Sequence, residues 1–321
     1  PQPREIAERA LFHRHYLHQN TRLENEVIAM RKIPEVRDDF ALRGRCEVYR
    51  ADLKSMASAN RLHQGVNLRG HQVWATYEHF QDLLVIRGIP ADEDLLDIVD
   101  FFSTNSDPNI FKERHALSQS EFRKLVQPLI RTGHIVQDFR GGFRTVTPNS
   151  TIDPIELRKE YLRNMVKEYP IITLKQFMRL AGTPFKPEEI KSVLNSFEED
   201  GTLIKGFLIE DLHEVCWGRK ELLDEAKNIR PIRDFVLPPS DPISPYFADV
   251  LKERFGFGSA YLVFKNAEPV AAFKANTRNK IIEVKDYEGS EKGWRIVKEF
   301  AWEHQMPLET ELRIGGKKMT R

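Results

Sequence analysis

Nine lysine or arginine side chains lie between Arg31 and Gly70 (positions 31, 32, 37, 43, 45, 50, 54, 61 and 69) against five acids, a local balance of +4. Cations at that density neutralise phosphates and displace condensed counterions, which is the sequence-independent part of nucleic-acid affinity. A second set comprises Arg123, Lys124 and Arg131, followed by Arg140 and Arg144 on either side of Gly141-Gly142. His13, His15 and His18 carry ligand chemistry. On a helix the first two point about 200° apart, so a solvated helix is expected there and no metal site. Trp74, Trp217, Trp294 and Trp302 can stack on bases, but each sits in an apolar pattern and core packing is expected. Cys46 and Cys216 stand far apart and outside any C-x-x-C, which argues against a disulfide framework or thiolate zinc site and fits a reducing compartment. Neither a nucleophile elbow nor a phosphate-binding G-x-x-x-x-G-K-[ST] loop occurs, so no cofactor or nucleotide is expected.

The elements that would position these residues follow from periodicity. Arg4 to Leu17 and Arg22 to Met30 are predicted helices. Leu95, Ile98, Val99 and Phe102 form one buried helical face, Ser103 to Asn109 reads as a loop, and Ser118 with Glu121 makes a capping box for a helix carrying Phe122, Leu125, Val126 and Leu129. Gly133 ends that helix, Pro128 should kink or shorten it, and two short strands surround Gly141-Gly142. The order recurs. A helix from Pro154, one capped by Thr173 and one from Pro187 precede strands at 202–209 and 213–217. Ile190, Val193, Leu194, Phe197 and Gly201 repeat the spacing of Phe122, Leu125, Val126, Leu129 and Gly133 at a distance of 68 residues, which reads as an internal duplication. Glu188, Glu189, Glu198, Glu199 and Asp200 make the second copy unsuited to phosphate, so it is expected to pack on a neighbour.

Helix, helix, helix and a two-stranded wing is the order of a winged helix, whose third helix enters the major groove. The expected fold is α+β: tandem winged-helix domains followed by a small C-terminal antiparallel β-barrel or sheet. Boundaries are read as 1–90 (helical, winged-helix-like), 91–150 and 151–228 (winged helices) and 229–321 (β-rich, after the proline-rich run from Phe235). A mobile tail is expected from Gly315. With 49 basic against 48 acidic residues and a net charge of +1, any nucleic-acid surface must come from local segregation of charge. The chain has no apolar run long enough to span a bilayer, and its start lacks the order of a signal peptide, so a soluble cytoplasmic, nucleoid-associated monomer is expected, with double-stranded DNA as partner.

The segment from Asn67 through Arg69-Gly70 and Val73 to Leu83-Leu84 resembles the Arg-Gly-Thr-x-His-x-Val segment of the YcaQ/AlkZ winged-helix family, and Leu237-Pro-Pro-Ser-Asp-Pro resembles its entry to the β-rich module. The layout is similar to the C-terminal region of Lhr helicases as well. The resemblance covers most of the chain. It implies a monofunctional DNA glycosylase, a hydrolase of N-glycosidic bonds in DNA repair, acting on alkylated or crosslinked bases. The family signature of Gln, an apolar residue, then Gln or Asp is absent. The roughly corresponding stretch, Lys32 to Arg45, offers the carboxylates Glu35, Asp38 and Asp39, with Asp38 favoured because Asp can occupy the second signature position. A carboxylate is competent there, since it stabilises an oxocarbenium-like state and takes a proton from water. The implied DNA-binding set is Arg37, Arg43, Arg45, Arg69, Arg123, Lys124, Arg140 and Arg144. The missing signature leaves a non-enzymatic DNA-binding factor as one alternative, and the acidic second unit leaves a protein-interaction scaffold as another.

Overall fold

Gly65 and Phe80 show how the sheet that carries the site is built. A Cβ at Gly65 would lie 2.5 Å from the Phe80 ring, so only glycine lets the Tyr77–Arg87 helix seat that ring on the strand His63–Val66. The computed structural model in which this is seen describes residues 1–321 apart from 2, 60–61, 150, 211, 279–280, 305–307, 311, 315–316 and 320–321; Arg61 of the basic stretch lies outside the described residues. Contacts divide the chain into two compact units, each discontinuous in sequence: 24–167 with 178–196, and 1–23 with 168–177 and 197–321.

The first of these units holds a five-stranded antiparallel sheet in the order Glu35–Val36, Gln72–Ala75, His63–Val66, Ile135–Gln137, Phe143–Thr145. The Gly141-Gly142 hairpin is therefore not a free wing. Gln64 pairs with Gln137 and joins it to the hairpin around Arg69-Gly70. Three helices, Leu96–Thr104, Pro108–Arg114 and Gln119–Thr132, precede the hairpin. They enclose an aromatic core of Phe101, Phe102, Phe111, Phe122 and Phe143 with Ile98, Val126 and Leu129. The middle helix begins inside the stretch read as a loop: Asp107 caps it and Pro108 supplies the preset φ of a first helical residue. Ser118 and Glu121 form the expected capping box, and Gly133 closes the third helix at φ 88°. Pro128 does not shorten it; the proline is exposed on the outer face, where water can take the hydrogen bond that the ring denies the helix. The counterpart Pro187–Glu199 helix likewise ends before a left-handed glycine, Gly201 at φ 78°.

The other unit is built around a seven-stranded sheet running Phe235–Leu237, Tyr261–Lys265, Glu268–Arg278, Ile281–Gly289, Leu312–Ile314, Lys317–Met319, with Leu308–Thr310 beside Ile281–Gly289. It is mixed rather than antiparallel. The Glu291–Glu303 helix carries the chain back across, so Leu308–Thr310 and Leu312–Ile314 both run parallel to Ile281–Gly289. The tail expected to be mobile contributes the strand Lys317–Met319. Phe12, from the Arg4–Arg14 helix, is fully buried, with Phe235 and Phe264 each at 4.9 Å and Phe247 at 5.7 Å. That helix stops at Arg14, short of the predicted end, and the helix expected from Arg22 starts only at Glu26, capped by Asn25. His18 is accordingly not on a solvated helix: it is fully buried, its Nε2 2.9 Å from the Arg230 carbonyl and its Nδ1 accepting from Asn20 N–H. Trp217 is buried as expected, whereas Trp302 is 85% exposed on the outer face of its helix. No helix among the described residues is long and apolar enough to cross a membrane.

Candidate active site

The three acids of the Lys32 to Arg45 stretch have different fates. Asp38 has an extended backbone and its Oδ1 accepts from Phe40 N–H at 3.1 Å and Ala41 N–H at 3.3 Å, capping the short helix Asp39–Arg43. Asp39 accepts from the Tyr49 hydroxyl and, at 2.6 Å, from Leu53 N–H, which ties two loops together. Glu35 alone points into a polar cluster. It stands on the edge strand Glu35–Val36, opposite Ala75, so its side chain shares a sheet face with Val73 and Gly65 beneath the Tyr77–Arg87 helix.

Each neighbour of Glu35 is held by its own local structure. Asn67 Nδ2 donates to Glu35 Oε1 at 2.7 Å, while Asn67 Oδ1 accepts from the backbone N–H groups of Arg69 and His71 at 3.0 and 2.9 Å, which fixes which end of the amide faces the acid. Arg69 brings a guanidinium nitrogen to 3.7 Å from Oε1, and His79 places Nε2 3.4 Å from Oε2. His79 owes its place to Thr76, whose hydroxyl caps the helix by accepting from His79 N–H at 3.2 Å. The Asn67 to Gly70 turn is braced from behind. Thr183 donates through both its N–H and its hydroxyl to the Leu68 carbonyl, and Gly182, at φ 90°, comes so close that a Cβ there would sit 2.6 Å from that same oxygen. Arg158 holds this brace in place by pairing with Glu189 and donating to the carbonyls of Pro184 and Ile86.

Burial works against a charge on Glu35, yet the hydrogen bond and charge of His79, the charge of Arg69 and the Asn67 bond together outweigh it and hold the carboxyl below its ordinary range. Glu35 is thus an anion at neutral pH, with its side chain 15% exposed. Around it, burial and the charges of Arg37 and Arg69 depress the His71 pKa, so this imidazole is neutral at neutral pH. Burial and the Glu35 charge push the Tyr161 hydroxyl upward, so it keeps its proton; its ring stacks 5.6 Å from Phe185. The cluster sets one ionised carboxylate among the Asn67 amide, the His71 and His79 imidazoles, the Tyr161 hydroxyl and two arginines, Arg69 and Arg87. Chemically that arrangement can orient a water, accept its proton and stabilise positive charge at an adjacent carbon.

The cations read from the sequence separate as well. Arg37 is exposed at the end of the Glu35 strand, and Arg69 is inside the cluster. The Arg43 guanidinium lies 4.8 Å over the Tyr49 ring. Arg45 is 1% exposed and donates to the Ala41 carbonyl at 2.7 Å, so it braces the fold and does not face a phosphate. Arg123 and Lys124 are exposed and share the outer face of the Gln119–Thr132 helix with Gln119, Ser120, Arg131 and the half-buried Gln127. Arg140 is exposed at the hairpin turn, and Arg144 is exposed on the far edge strand, 3.7 Å over the Tyr77 ring. Strand registers put Arg144 on the same sheet face as Glu35, four strand spacings or about 19 Å away. The basic stretch and the hairpin thus meet through one sheet. Asn67, His79, Tyr161 and Gly182 escaped sequence reasoning as site residues. Asn67 opened the segment that carried the resemblance, but His79 and Gly182 gave no signal of their own.

No family model matches the chain, and neither does any curated protein. Among solved structures, Streptomyces sahachiroi DNA glycosylase AlkZ is similar over 98% of this chain and 99% of that one, with a TM-score of 0.68 at 10% sequence identity. An agreement of that extent at so low an identity establishes the backbone arrangement. The chain has a YcaQ/AlkZ-like fold.

Proposed function

We propose that the protein is a DNA-repair glycosylase built on tandem winged helices, hydrolysing the N-glycosidic bond of alkylated or crosslinked purines in duplex DNA, with Glu35 as its catalytic carboxylate. The observation that carries this reading is the ionised Glu35 on an edge strand, hydrogen-bonded by Asn67 and flanked by Arg69 and His79. The triplet Glu35-Val36-Arg37 has the polar, apolar, polar pattern of the family signature, with the apolar member fully buried. In the reaction, the bond between the sugar C1′ and the base nitrogen breaks with its electron pair leaving on the base. Water forms the new bond at C1′, and its proton passes to Glu35. An alkylated purine already carries positive charge, so it leaves neutral without a proton donor. Arg123 and Lys124 on the third helix and Arg140 and Arg144 on the hairpin would meet phosphates, while Arg37 lies next to the carboxylate.

The test is incubation with a duplex bearing one 7-methylguanine, followed by alkali. The wild-type chain is expected to yield strand breaks at the lesion, and Glu35→Gln to bind the duplex with unchanged affinity and yield none. Binding without breaks by the wild-type chain would leave the non-enzymatic DNA-binding factor. Negligible duplex affinity at low salt would leave the protein-interaction scaffold.

A further inference from the structure

The two oxygens of Glu35 are held unequally. Oε1 takes the short Asn67 bond and faces Arg69, whereas Oε2 meets, among the described residues, the His79 imidazole at 3.4 Å. We infer that His79 is a positioning residue for Glu35, holding Oε2 in the orientation from which it takes a proton from the attacking water. The inference rests on the glycosylase reading of Glu35. A separation of 3.4 Å exceeds that of an ordinary N–H···O bond, so the ring orients Oε2 without tying it up as Asn67 ties up Oε1. The imidazole itself is well anchored: its backbone N–H is bound by the Thr76 cap, and its ring lies 6.2 Å from that of Phe80, which fills the space left by Gly65. It is no core filler, since 16% of its side chain remains exposed beside a 15% exposed Glu35. Among the influences that favour the carboxylate's charge, those of His79 come first, ahead of Arg69 and Asn67. Other titratable groups around the site are Arg37 on the strand, His71 beyond the turn, Asp82 and Arg87 on the same helix as His79, and Tyr161 on the Pro154–Lys167 helix.

The experiment compares the full chain with His79→Ala, His79→Gln and Glu35→Gln by two readouts. One is carbon-13 NMR titration of glutamate side-chain carboxyls, with the Glu35 signal assigned by its loss in Glu35→Gln. The other is single-turnover release of 7-methylguanine at saturating protein. His79→Ala should raise the Glu35 titration midpoint and slow release about tenfold or more while DNA affinity stays within about twofold; the amide of His79→Gln should restore both towards wild type. A midpoint unmoved in His79→Ala overturns the inference, as does a His79→Gln variant as impaired as His79→Ala, which would mark loss of ring packing. The two readings fail separately. Release that vanishes in Glu35→Gln but is untouched in His79→Ala removes the role of His79 alone, whereas release that persists in Glu35→Gln removes the glycosylase assignment and this inference with it.

Discussion

Glu8→Gln isolates the energetic cost of a buried charge in the unit that does not hold the site. Glu8 lies on the Arg4–Arg14 helix with 2% of its side chain exposed, and Arg4 Nε donates to it at 2.9 Å. Burial outweighs the pull of Arg4 and raises its pKa from 4.5 to about 7. Below 4.5 the group is protonated in both folded and unfolded chains and costs nothing. Between 4.5 and about 7 the folded chain holds a proton that the unfolded chain has released, so stability falls as pH rises, and above 7 the loss is complete. The distance between those two values corresponds to about 3 kcal/mol. Glutamine keeps the shape and the acceptor for Arg4 but cannot ionise, so Glu8→Gln should match wild type at pH 4 and exceed it by up to about 3 kcal/mol at pH 8. Urea unfolding followed by tryptophan fluorescence at both pH values measures this, because Trp217, Trp294 and Trp302 belong to the same unit as Glu8. A variant no more stable than wild type at pH 8, or a gap that does not change with pH, would refute the reasoning and show the Arg4–Glu8 pair to be a net stabiliser.

Asn67→Asp keeps the acceptor for the Arg69 and His71 N–H groups but sets a second carboxylate where Asn67 now donates to Glu35 at 2.7 Å. Two acids that close cannot both ionise, so base release at pH 7 should fall about 100-fold, with an unchanged circular dichroism spectrum. Replacing Arg123 and Lys124 with alanine should weaken duplex binding evenly across sequences and lower the slope of log affinity against log salt by about one per cation. Arg45→Met should leave that slope alone. Gly65→Ala drives a methyl group into the Phe80 ring and should cost about 2 kcal/mol, read as a lowered melting temperature.

The parts of this molecule visible in its sequence are those whose signals are local. The Ser118 and Glu121 capping box spans four residues, the apolar stripe of the same helix repeats at helical spacing, and Gly133 ends it; all three are fixed by neighbours in sequence. The start of the Pro108–Arg114 helix carries local marks as well, the Asp107 cap and the Pro108 that follows it, but its polar composition reads as a loop. The site was not legible as a site. Glu35 meets Asn67 across 32 residues and His79 across 44, and the backing at Leu68 comes from Gly182 and Thr183. Only strand pairing and helix packing bring such groups together, and nothing in the spacing of Glu35, Asp38 and Asp39 distinguishes an acid aimed at a cluster from one that caps a helix. Arg45 teaches the same lesson for charge: counted as a phosphate contact in a basic run, it is buried on a backbone carbonyl.

Single-turnover release of 7-methylguanine by Glu35→Gln and by Asp38→Ala, measured side by side on one duplex, weighs the central claim most directly. Loss of release in Glu35→Gln, together with wild-type release and only about 1 kcal/mol less stability in Asp38→Ala, is the predicted pair of results. Release that survives in Glu35→Gln and vanishes in a folded Asp38→Ala would contradict it.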